Sequence, residues 1–245
     1  MPSISANQIK LIKSLSDKKF RDKYGLFVVE GEKLVAEAEA SDFEIEEVFY
    51  KEEIGEKAME RISSLSSPSP VLAVVRKREC RYGESGQLTA GLYLALDGIK
   101  DPGNMGTMIR LADWFGIKAV YAAEGSVDIY NPKVVQATMG SLFRTDFMYT
   151  DLADLCSRTT AGGGTVYGTF LSGRNIYESE LETGAGSPVI IVIGNESDGI
   201  SDRVASVVSE RISIPSFHEG RPGSESLNAA VAAAVTVAEF RRRTI

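Results

Sequence analysis

Four small or polar residues near the C-terminus each follow an apolar run or precede a helix: Gly194, Glu196, Ser226 and Asn228. Apolar runs at residues 190–193 and 212–215 predict two buried strands, and the alanine-rich stretch that follows predicts a helix. Polar groups at strand ends of an α/β sheet are where ligands usually bind. Purely structural roles are also open for these residues. Glu196 would then be an acid in the first turn of a helix, stabilised by the helix dipole, and Ser226 would cap a helix over residues 227–241.

A second polar group follows a strand in the middle of the chain. Residues 92–96 predict the strand, a glycine-containing loop follows, and Asn104 can cap a helix that ends near Phe115. A glycine-bearing loop before a helix exposes backbone N–H groups to an anion such as phosphate. Arg110 lies one turn beyond Gly106, and its planar guanidinium suits a phosphate or carboxylate. A solvated helix charge is an equally good interpretation of Arg110 from this segment alone.

These side chains need a sheet to position them, and the chain beyond residue 90 has the required pattern. Apolar runs alternate there with helical stretches, at residues 92–96, 119–122, 165–170, 189–193 and 212–214. This alternation predicts a mostly parallel sheet covered by helices, an α/β fold. The polar, glycine-containing residues 79–90 predict a linker, and we expect a second, larger domain over residues 91–245.

The N-terminal third predicts a smaller α/β domain over residues 1–78, with strands at residues 26–29, 46–50 and 71–75 and a helix at residues 32–40. The first 25 residues carry six basic side chains against two aspartates, in a chain whose net charge is −7: Lys10, Lys13, Lys18, Lys19, Arg21 and Lys23. A basic stretch beside Phe20 and Tyr24 suits an RNA backbone with stacked bases. The expected RNA contacts are Lys18, Lys19, Arg21 and Lys23, although a solvated helix face fits these charges nearly as well.

Composition excludes several classes of protein. A hydrophobic content of 43% over 245 residues supports a packed core in one or two domains. Cys80 and Cys156 lack metal-ligand spacing. The single histidine, His218, excludes a histidine-rich metal site and disfavours a Ser-His-Asp hydrolase, and a solvated loop position is expected for it. Because no signal peptide and no membrane-spanning apolar run are evident, we expect a cytoplasmic protein without a metal and without membrane contact.

Taken together, these motifs resemble those of the SpoU (TrmH) family of RNA ribose 2'-O-methyltransferases, in the SPOUT group. Residues 97–110 resemble the first family motif, residues 191–200 the second and residues 212–230 the third. Three ordered motifs are far more specific than a lone glycine signature. Residues 131–144 resemble the segment between the first two motifs, and residues 18–38 resemble the small substrate-binding domain of ribosomal-RNA members.

The resemblance implies a trefoil-knotted, mostly parallel sheet, a homodimer formed through the C-terminal domain, and S-adenosyl-L-methionine as the cofactor. It implies methylation of a ribose 2'-hydroxyl, in ribosomal RNA, with transfer RNA also open. The implied catalytic residues are Asn104, Arg110, Glu196, Ser226 and Asn228, and the implied cofactor contacts are Thr169, Gly194, Ile214 and Leu227. Because arginine stays protonated, we assign Arg110 the positioning of phosphate and ribose with charge stabilisation. The group that removes the hydroxyl proton stays open.

Two other functions remain possible from the sequence. Gly98, Gly103 and Gly106 follow a strand and Glu124 ends the next one, which imitates the dinucleotide fingerprint of an oxidoreductase without its spacing. The second alternative is a catalytically silent RNA-binding protein on the same scaffold, against which the complete set of polar motif residues argues. The loop of residues 216–225 is longer than the compact family pattern, and its role is open.

Overall fold

The computed structural model describes residues 4–78, 87–217 and 224–244. Cys80, His218 and most of the predicted linker at residues 79–90 lie outside these ranges. The chain forms two compact units, the first made of Met1–Glu79 with Asp128–Arg144 and the second of Cys80–Val127 with Thr145–Ile245. The predicted functional division at residues 79–90 therefore remains a prediction, to which the structure adds that residues 128–144 pack within the first unit.

The residues that the structure describes form ten α-helices and nine β-strands. The helices are α1 (Ala6–Ser14), α2 (Lys18–Tyr24), α3 (Glu32–Glu39), α4 (Lys51–Ile54), α5 (Glu56–Ile62), α6 (Pro102–Trp114), α7 (Pro132–Thr138), α8 (Leu152–Ala161), α9 (Asp202–Ala205) and α10 (Ala229–Arg242). The strands are β1 (Leu26–Glu30), β2 (Ile45–Tyr50), β3 (Val71–Arg76), β4 (Gly91–Asp97), β5 (Val120–Ala122), β6 (Phe147–Tyr149), β7 (Thr165–Asn175), β8 (Pro188–Gly194) and β9 (Glu210–Ser213).

The first unit is built on an antiparallel sheet of order β1-β3-β2, and its three predicted strands are confirmed. The central strand β3 pairs with β1 in a register that places Val28 opposite Val74. Residues 128–144 complete the core of this unit through aromatic contacts, since the Tyr130 ring lies 4.6 Å from the Phe27 ring, centroid to centroid. The N-terminal region thus obtains part of its packing from a segment about 50 residues beyond its own end.

The second unit is built on a six-stranded, all-parallel sheet of order β6-β5-β4-β8-β7-β9, which confirms the predicted α/β fold. The central strands β4 and β8 are almost wholly buried, and Leu94 is opposite Ile191. Strands covered on both faces read as continuous apolar runs, which is why these two were visible in the sequence. The edge strand β6 is three residues long and only partly buried, so the sequence contains no comparable apolar run at this position. Across the described ranges, no helix is both long and apolar enough to cross a membrane.

Two predicted helix caps are wrong by a few residues. Helix α6 is capped by Asp101, whose carboxylate accepts from the Asn104 N–H at 2.8 Å, and not by Asn104 itself. Pro102 then occupies the first turn, where its missing N–H leaves no hydrogen bond unmade. Helix α10 is capped by Asn228 and not by Ser226. In both segments several cap-forming side chains stand close together, and only the backbone path selects one of them.

Candidate active site

A cleft of about 1050 Å³ opens where β7, β8 and β9 end and where α10 begins. Six residues of the predicted site line it: Thr169, Gly194, Glu196, Ile214, Ser226 and Leu227. The Thr169 hydroxyl donates to the Val192 carbonyl at 3.0 Å, which ties β7 to β8 just beyond their last paired residues. The cleft therefore lies at the carboxyl ends of parallel strands, the expected place for a ligand in this kind of sheet.

Three predicted polar residues are joined in one hydrogen-bonded chain beside this cleft. The Asn104 side-chain amide donates to the Glu196 carboxylate at 2.7 Å, and the Asn228 amide donates to the Asn104 side-chain oxygen at 3.0 Å. The Asn228 oxygen in turn accepts from the Ala230 and Val231 N–H groups at the start of α10. Because each amide both donates and accepts, the orientation of all three side chains is fixed by the helix start.

The loop that carries Glu196 is held by the side chains of Asp97 and Asn195, neither of which the sequence pattern singled out as a site residue. The Asp97 carboxylate at the end of β4 accepts from the Ser201 N–H at 2.7 Å. The Asn195 amide donates to the Gly98 carbonyl at 2.7 Å, and the Asn195 oxygen accepts from the Ser197 N–H at 2.8 Å. One usable signal was present, because Asp97 is a lone acid that ends an apolar run.

Gly194 is required by the close approach of this loop to its own start. A Cβ atom at Gly194 would lie 2.3 Å from the Gly199 carbonyl carbon and 2.4 Å from the Ile200 nitrogen. Both contacts are with backbone, so any side chain here would displace the loop. Gly199 itself has a φ of +69°, a left-handed conformation that favours glycine. The glycine of the predicted motif thus allows the backbone to fold tightly beside the cleft.

Arg110 lies apart from this hydrogen-bonded group. It is exposed on α6, six residues and hence about 9 Å along the helix axis from Asn104. It is not among the residues that line the cleft, and within the described parts of the chain its guanidinium has no hydrogen-bond or ion-pair partner. Its donors are therefore available to a group outside the chain. Ser226 borders the cleft as an exposed side chain.

Cys156 is the free cysteine within the described ranges, and it is buried and outside the residues that line the cleft. Burial raises the pKa of the Cys156 thiol to about 12, with the nearby Asp97 charge adding to the effect. A protonated, buried thiol is not a nucleophile. Among residues 4–78, 87–217 and 224–244, no cluster of three potential metal ligands occurs. The hydrogen-bonded side chains of Asn104, Glu196 and Asn228 suit the binding and orientation of a polar substrate.

Comparison with known proteins agrees with this arrangement. The model of the SpoU rRNA Methylase family matches residues 91–238, more than half of the chain, and the model of the MRM3-like substrate binding domain matches residues 6–77. This chain belongs to the SpoU rRNA methylase family. S-adenosylmethionine is the cofactor of this SpoU protein, and methyl transfer to an RNA ribose 2'-hydroxyl is its reaction.

Individual relatives match the SpoU chain over nearly its whole length. The 23S rRNA (guanosine(2553)-2'-O)-methyltransferase RlmP of Bacillus subtilis is 31% identical, with 98% of each chain covered. A TrmH-family structure from Porphyromonas gingivalis is 36% identical, covers 99% of this chain and 100% of its own, and has a TM-score of 0.85. An AdoMet-bound rRNA methyltransferase from Sinorhizobium meliloti is 27% identical, covers 100% and 98%, and has a TM-score of 0.86.

The oxidoreductase alternative is wrong, and the structure gives the physical reason. Gly103 and Gly106 lie inside α6 and not in a loop before it, so they do not form a phosphate-binding turn. Gly98, with a φ of +75°, lies against Asn195 at the base of the Glu196 loop. Gly98 therefore belongs to the loop structure of the SpoU site, and Gly103 and Gly106 belong to helix α6.

The cleft fits the cofactor of the SpoU family in its charges. S-adenosylmethionine, when bound, supplies a methyl group on a positively charged sulfur, and it also carries one ammonium and one carboxylate group. Among described lining residues, acidic side chains outnumber basic ones by four to one: Glu196, Asp198, Asp202 and Glu225 against Arg211. Carboxylates stabilise nearby positive charge, so this lining suits the two cationic groups. Gly194, Ile214 and Leu227 also line this cleft.

One of the four predicted RNA contacts is wrong. Arg21 is only 1% exposed, and its guanidinium donates to the Asp128 carboxylate at 2.7 and 2.9 Å. It also donates to the Leu15 and Ser16 carbonyls, at 2.8 Å each. These four hydrogen bonds all lie inside the first unit. Arg21 is therefore a structural residue, and no sequence signal could identify a partner 107 residues away.

The three lysines of the same helix are exposed, as an RNA-binding surface requires. Lys18 forms an i,i+4 ion pair with Asp22 at 2.5 Å, which leaves its charge partly compensated. The Phe20 and Tyr24 rings stack with centroids 6.3 Å apart, and Lys23 lies 5.1 Å from the Tyr24 ring. An exposed Tyr24 ring stacked on a half-buried Phe20 ring beside lysines suits single-stranded RNA, where bases stack on side chains.

Proposed function

We propose that this SpoU protein methylates the ribose 2'-hydroxyl of a guanosine in 23S ribosomal RNA. The observation that carries the proposal is the hydrogen-bonded chain of Asn104, Glu196 and Asn228 beside the cofactor cleft, in a protein that a 23S guanosine 2'-O-methyltransferase matches end to end. The matched substrate-binding domain at residues 6–77 supports a ribosomal substrate. Methylation of transfer RNA alone would oppose this proposal.

In this proposal the polar residues position the ribose and the exposed arginine supplies charge. Asn104, Glu196 and Asn228 orient the ribose and the loops around the cofactor, because their hydrogen bonds start at helix α10. Ser226 assists them from the border of the cleft. Arg110 holds the RNA phosphate and stabilises negative charge on the 2'-oxygen as its proton leaves. Its guanidinium stays protonated, so we assign it no role as the base. Thr169, Gly194, Ile214 and Leu227 form the cofactor wall.

Mapping of 2'-O-methylation tests the substrate. Ribosomal and transfer RNA from cells with and without this protein are compared, nucleotide by nucleotide. We expect one guanosine of 23S ribosomal RNA to lose its methyl group in the deletion strain and to regain it with the wild-type gene. An Arg110→Ala gene is the matched control and is not expected to restore it. Loss of a methyl group in transfer RNA alone would oppose a ribosomal substrate.

The exposed lysines of α2 are expected to contribute to RNA affinity. We expect replacement of Lys18, Lys19 and Lys23 by glutamine to weaken RNA binding and to lower the slope of log affinity against log salt by about 2, since each lost phosphate contact on single strands removes about 0.7. Filter binding between low and moderate salt measures both quantities. A matched variant that replaces Lys33, Lys51 and Lys57 of the same unit keeps the same net charge. If the two variants behave alike, α2 is only a solvated face.

A homodimer formed through the C-terminal unit is part of the proposal. Trp114 on α6 is 85% exposed and Val231 on α10 is 48% exposed, and these helices pack against each other. Large exposed apolar side chains on adjoining helices commonly mark a protein interface. We expect sedimentation of the full chain to give twice the 26.5 kDa mass, and Trp114→Asp to shift it toward the monomer. A wild-type monomer at micromolar concentration would contradict this.

The trefoil knot and the cytoplasmic location complete the proposal. The knot is supported by the sheet order, in which the late strand β8 lies between β4 and β7, and by relatives of known structure with TM-scores of 0.85 and 0.86. A cytoplasmic location is consistent with ribosomal RNA as the substrate.

A further inference from the structure

Arg211 is a cation beside the cofactor cleft to which neither the family motifs nor the proposed mechanism gives a role. It lies on β9, and its guanidinium carbon is 3.8 Å from the centroid of the Phe170 ring. In the described part of the structure, its guanidinium has no ion pair and no hydrogen bond. The neighbouring Arg174 differs, because it is paired with Glu210 at 2.8 Å.

The Phe170 ring, over which Arg211 lies, packs closely against Gly168. It covers Gly168, where a Cβ atom would lie 2.6 Å from the ring and 3.1 Å from Val208. The ring therefore packs directly on the backbone at Gly168, and the Arg211 guanidinium lies over the ring. A guanidinium stacked on an aromatic face keeps the N–H groups at its edge, and these form two parallel bonds with a carboxylate.

The surrounding charges indicate which anion Arg211 binds. Glu196, Asp198, Asp202 and Glu225 line the same cleft, so a polyanionic RNA backbone is repelled there, whereas a ligand with two positive groups and one carboxylate is not. We propose that Arg211 binds the carboxylate of the methionyl part of S-adenosylmethionine. The inference rests on the cofactor and site described above. It adds a residue that discriminates the complete cofactor from analogues without the carboxylate.

Calorimetry with two cofactor forms tests this role. Wild-type protein is titrated with S-adenosylmethionine and with its decarboxylated form, which keeps the sulfonium and the adenosine. We expect Arg211→Ala to weaken binding of S-adenosylmethionine about tenfold, a loss reduced from that of a buried charged hydrogen bond because the site is open to solvent. Binding of the decarboxylated form is expected to be unchanged. Arg211→Lys is expected to give an intermediate loss, since it keeps the charge without the planar fork.

Matched variants separate the possible outcomes. Arg174→Ala, which removes an exposed arginine from the adjoining strand, is expected to leave both affinities unchanged. Phe170→Leu is expected to weaken S-adenosylmethionine binding less than Arg211→Ala does. If Arg211→Ala weakens both forms equally, Arg211 shapes the cleft and the inference is wrong. It is also wrong if neither affinity changes, including the case in which RNA affinity falls instead. Failure of wild-type protein to bind either form would remove the cofactor assignment itself, which is a distinguishable result.

Discussion

Replacement of Arg110 by alanine is expected to lower methyl transfer by about 10²–10³-fold, the usual loss when one donor that stabilises transition-state charge is removed. Arg110 is exposed on α6, outside the cleft lining, so its loss leaves the cofactor wall intact. We therefore expect the affinity for S-adenosylmethionine to be unchanged while the turnover number falls. Single-turnover transfer to RNA and calorimetry with the cofactor measure the two quantities separately.

Two further variants serve as controls for Arg110→Ala. Arg110→Lys keeps the charge and loses the planar fork, so an activity between those of wild type and Arg110→Ala is expected. Arg158→Ala removes another exposed helix arginine, whose i,i+4 partner is Asp154, and is expected to leave transfer unchanged. Normal turnover of Arg110→Ala on its RNA would remove Arg110 from the mechanism. Loss of cofactor affinity together with turnover would place Arg110 in the cofactor site instead.

Replacement of Arg21 by alanine is expected to destabilise the first unit by about 3–5 kcal/mol, because it leaves the Asp128 carboxylate buried without its partner. Two backbone carbonyls, those of Leu15 and Ser16, also lose their donor. Hydrogen exchange of β1 and β3 measures the free energy of opening of this unit. Urea unfolding followed by far-ultraviolet circular dichroism provides a second measurement.

The paired variant shows whether the loss comes from an unpaired charge. Replacing Arg21 and Asp128 together by leucine is expected to recover much of the stability, since apolar replacement of both partners of a buried pair is often nearly neutral. Lys19→Ala, an exposed neighbour, is expected to change stability by no more than about 0.5 kcal/mol. A fully stable Arg21→Ala protein with weakened RNA binding would return Arg21 to the RNA-binding surface.

The parts of the structure that the sequence predicted are those with strong local or strand-end signals. The buried runs of β4 and β8 were visible because both faces of a parallel sheet are covered. The family resemblance implied both Glu196 and Asn104 as site residues, and the structure joins them by a 2.7 Å hydrogen bond at strand ends that meet at one edge of the sheet. The sequence alone therefore predicted that the polar side chains lie at strand ends of the sheet. The catalytic roles of these residues stay predictions.

What the sequence did not predict depends on contacts between distant segments. The burial of Arg21 is set by Asp128, 107 residues away, and nothing around Arg21 distinguishes it from the exposed lysines beside it. The packing of residues 128–144 within the first unit is of the same kind. The Phe170–Arg211 stack joins two strands that are adjacent only in the folded sheet. The helix caps at Asp101 and Asn228 were missed for a different reason, since several good cap residues stand together.

The most direct measurement of the central claim is the position of the transferred methyl group. Purified full-length protein is incubated with S-adenosylmethionine and an RNA fragment that contains the mapped guanosine, made with either a 2'-hydroxyl or a 2'-hydrogen at that nucleotide. The RNA is digested to nucleosides and analysed by mass spectrometry. We expect 2'-O-methylguanosine from the hydroxyl form and no methylated product from the deoxy form. A methyl group on the base, or transfer to the deoxy form, would contradict ribose 2'-O-methylation by this site.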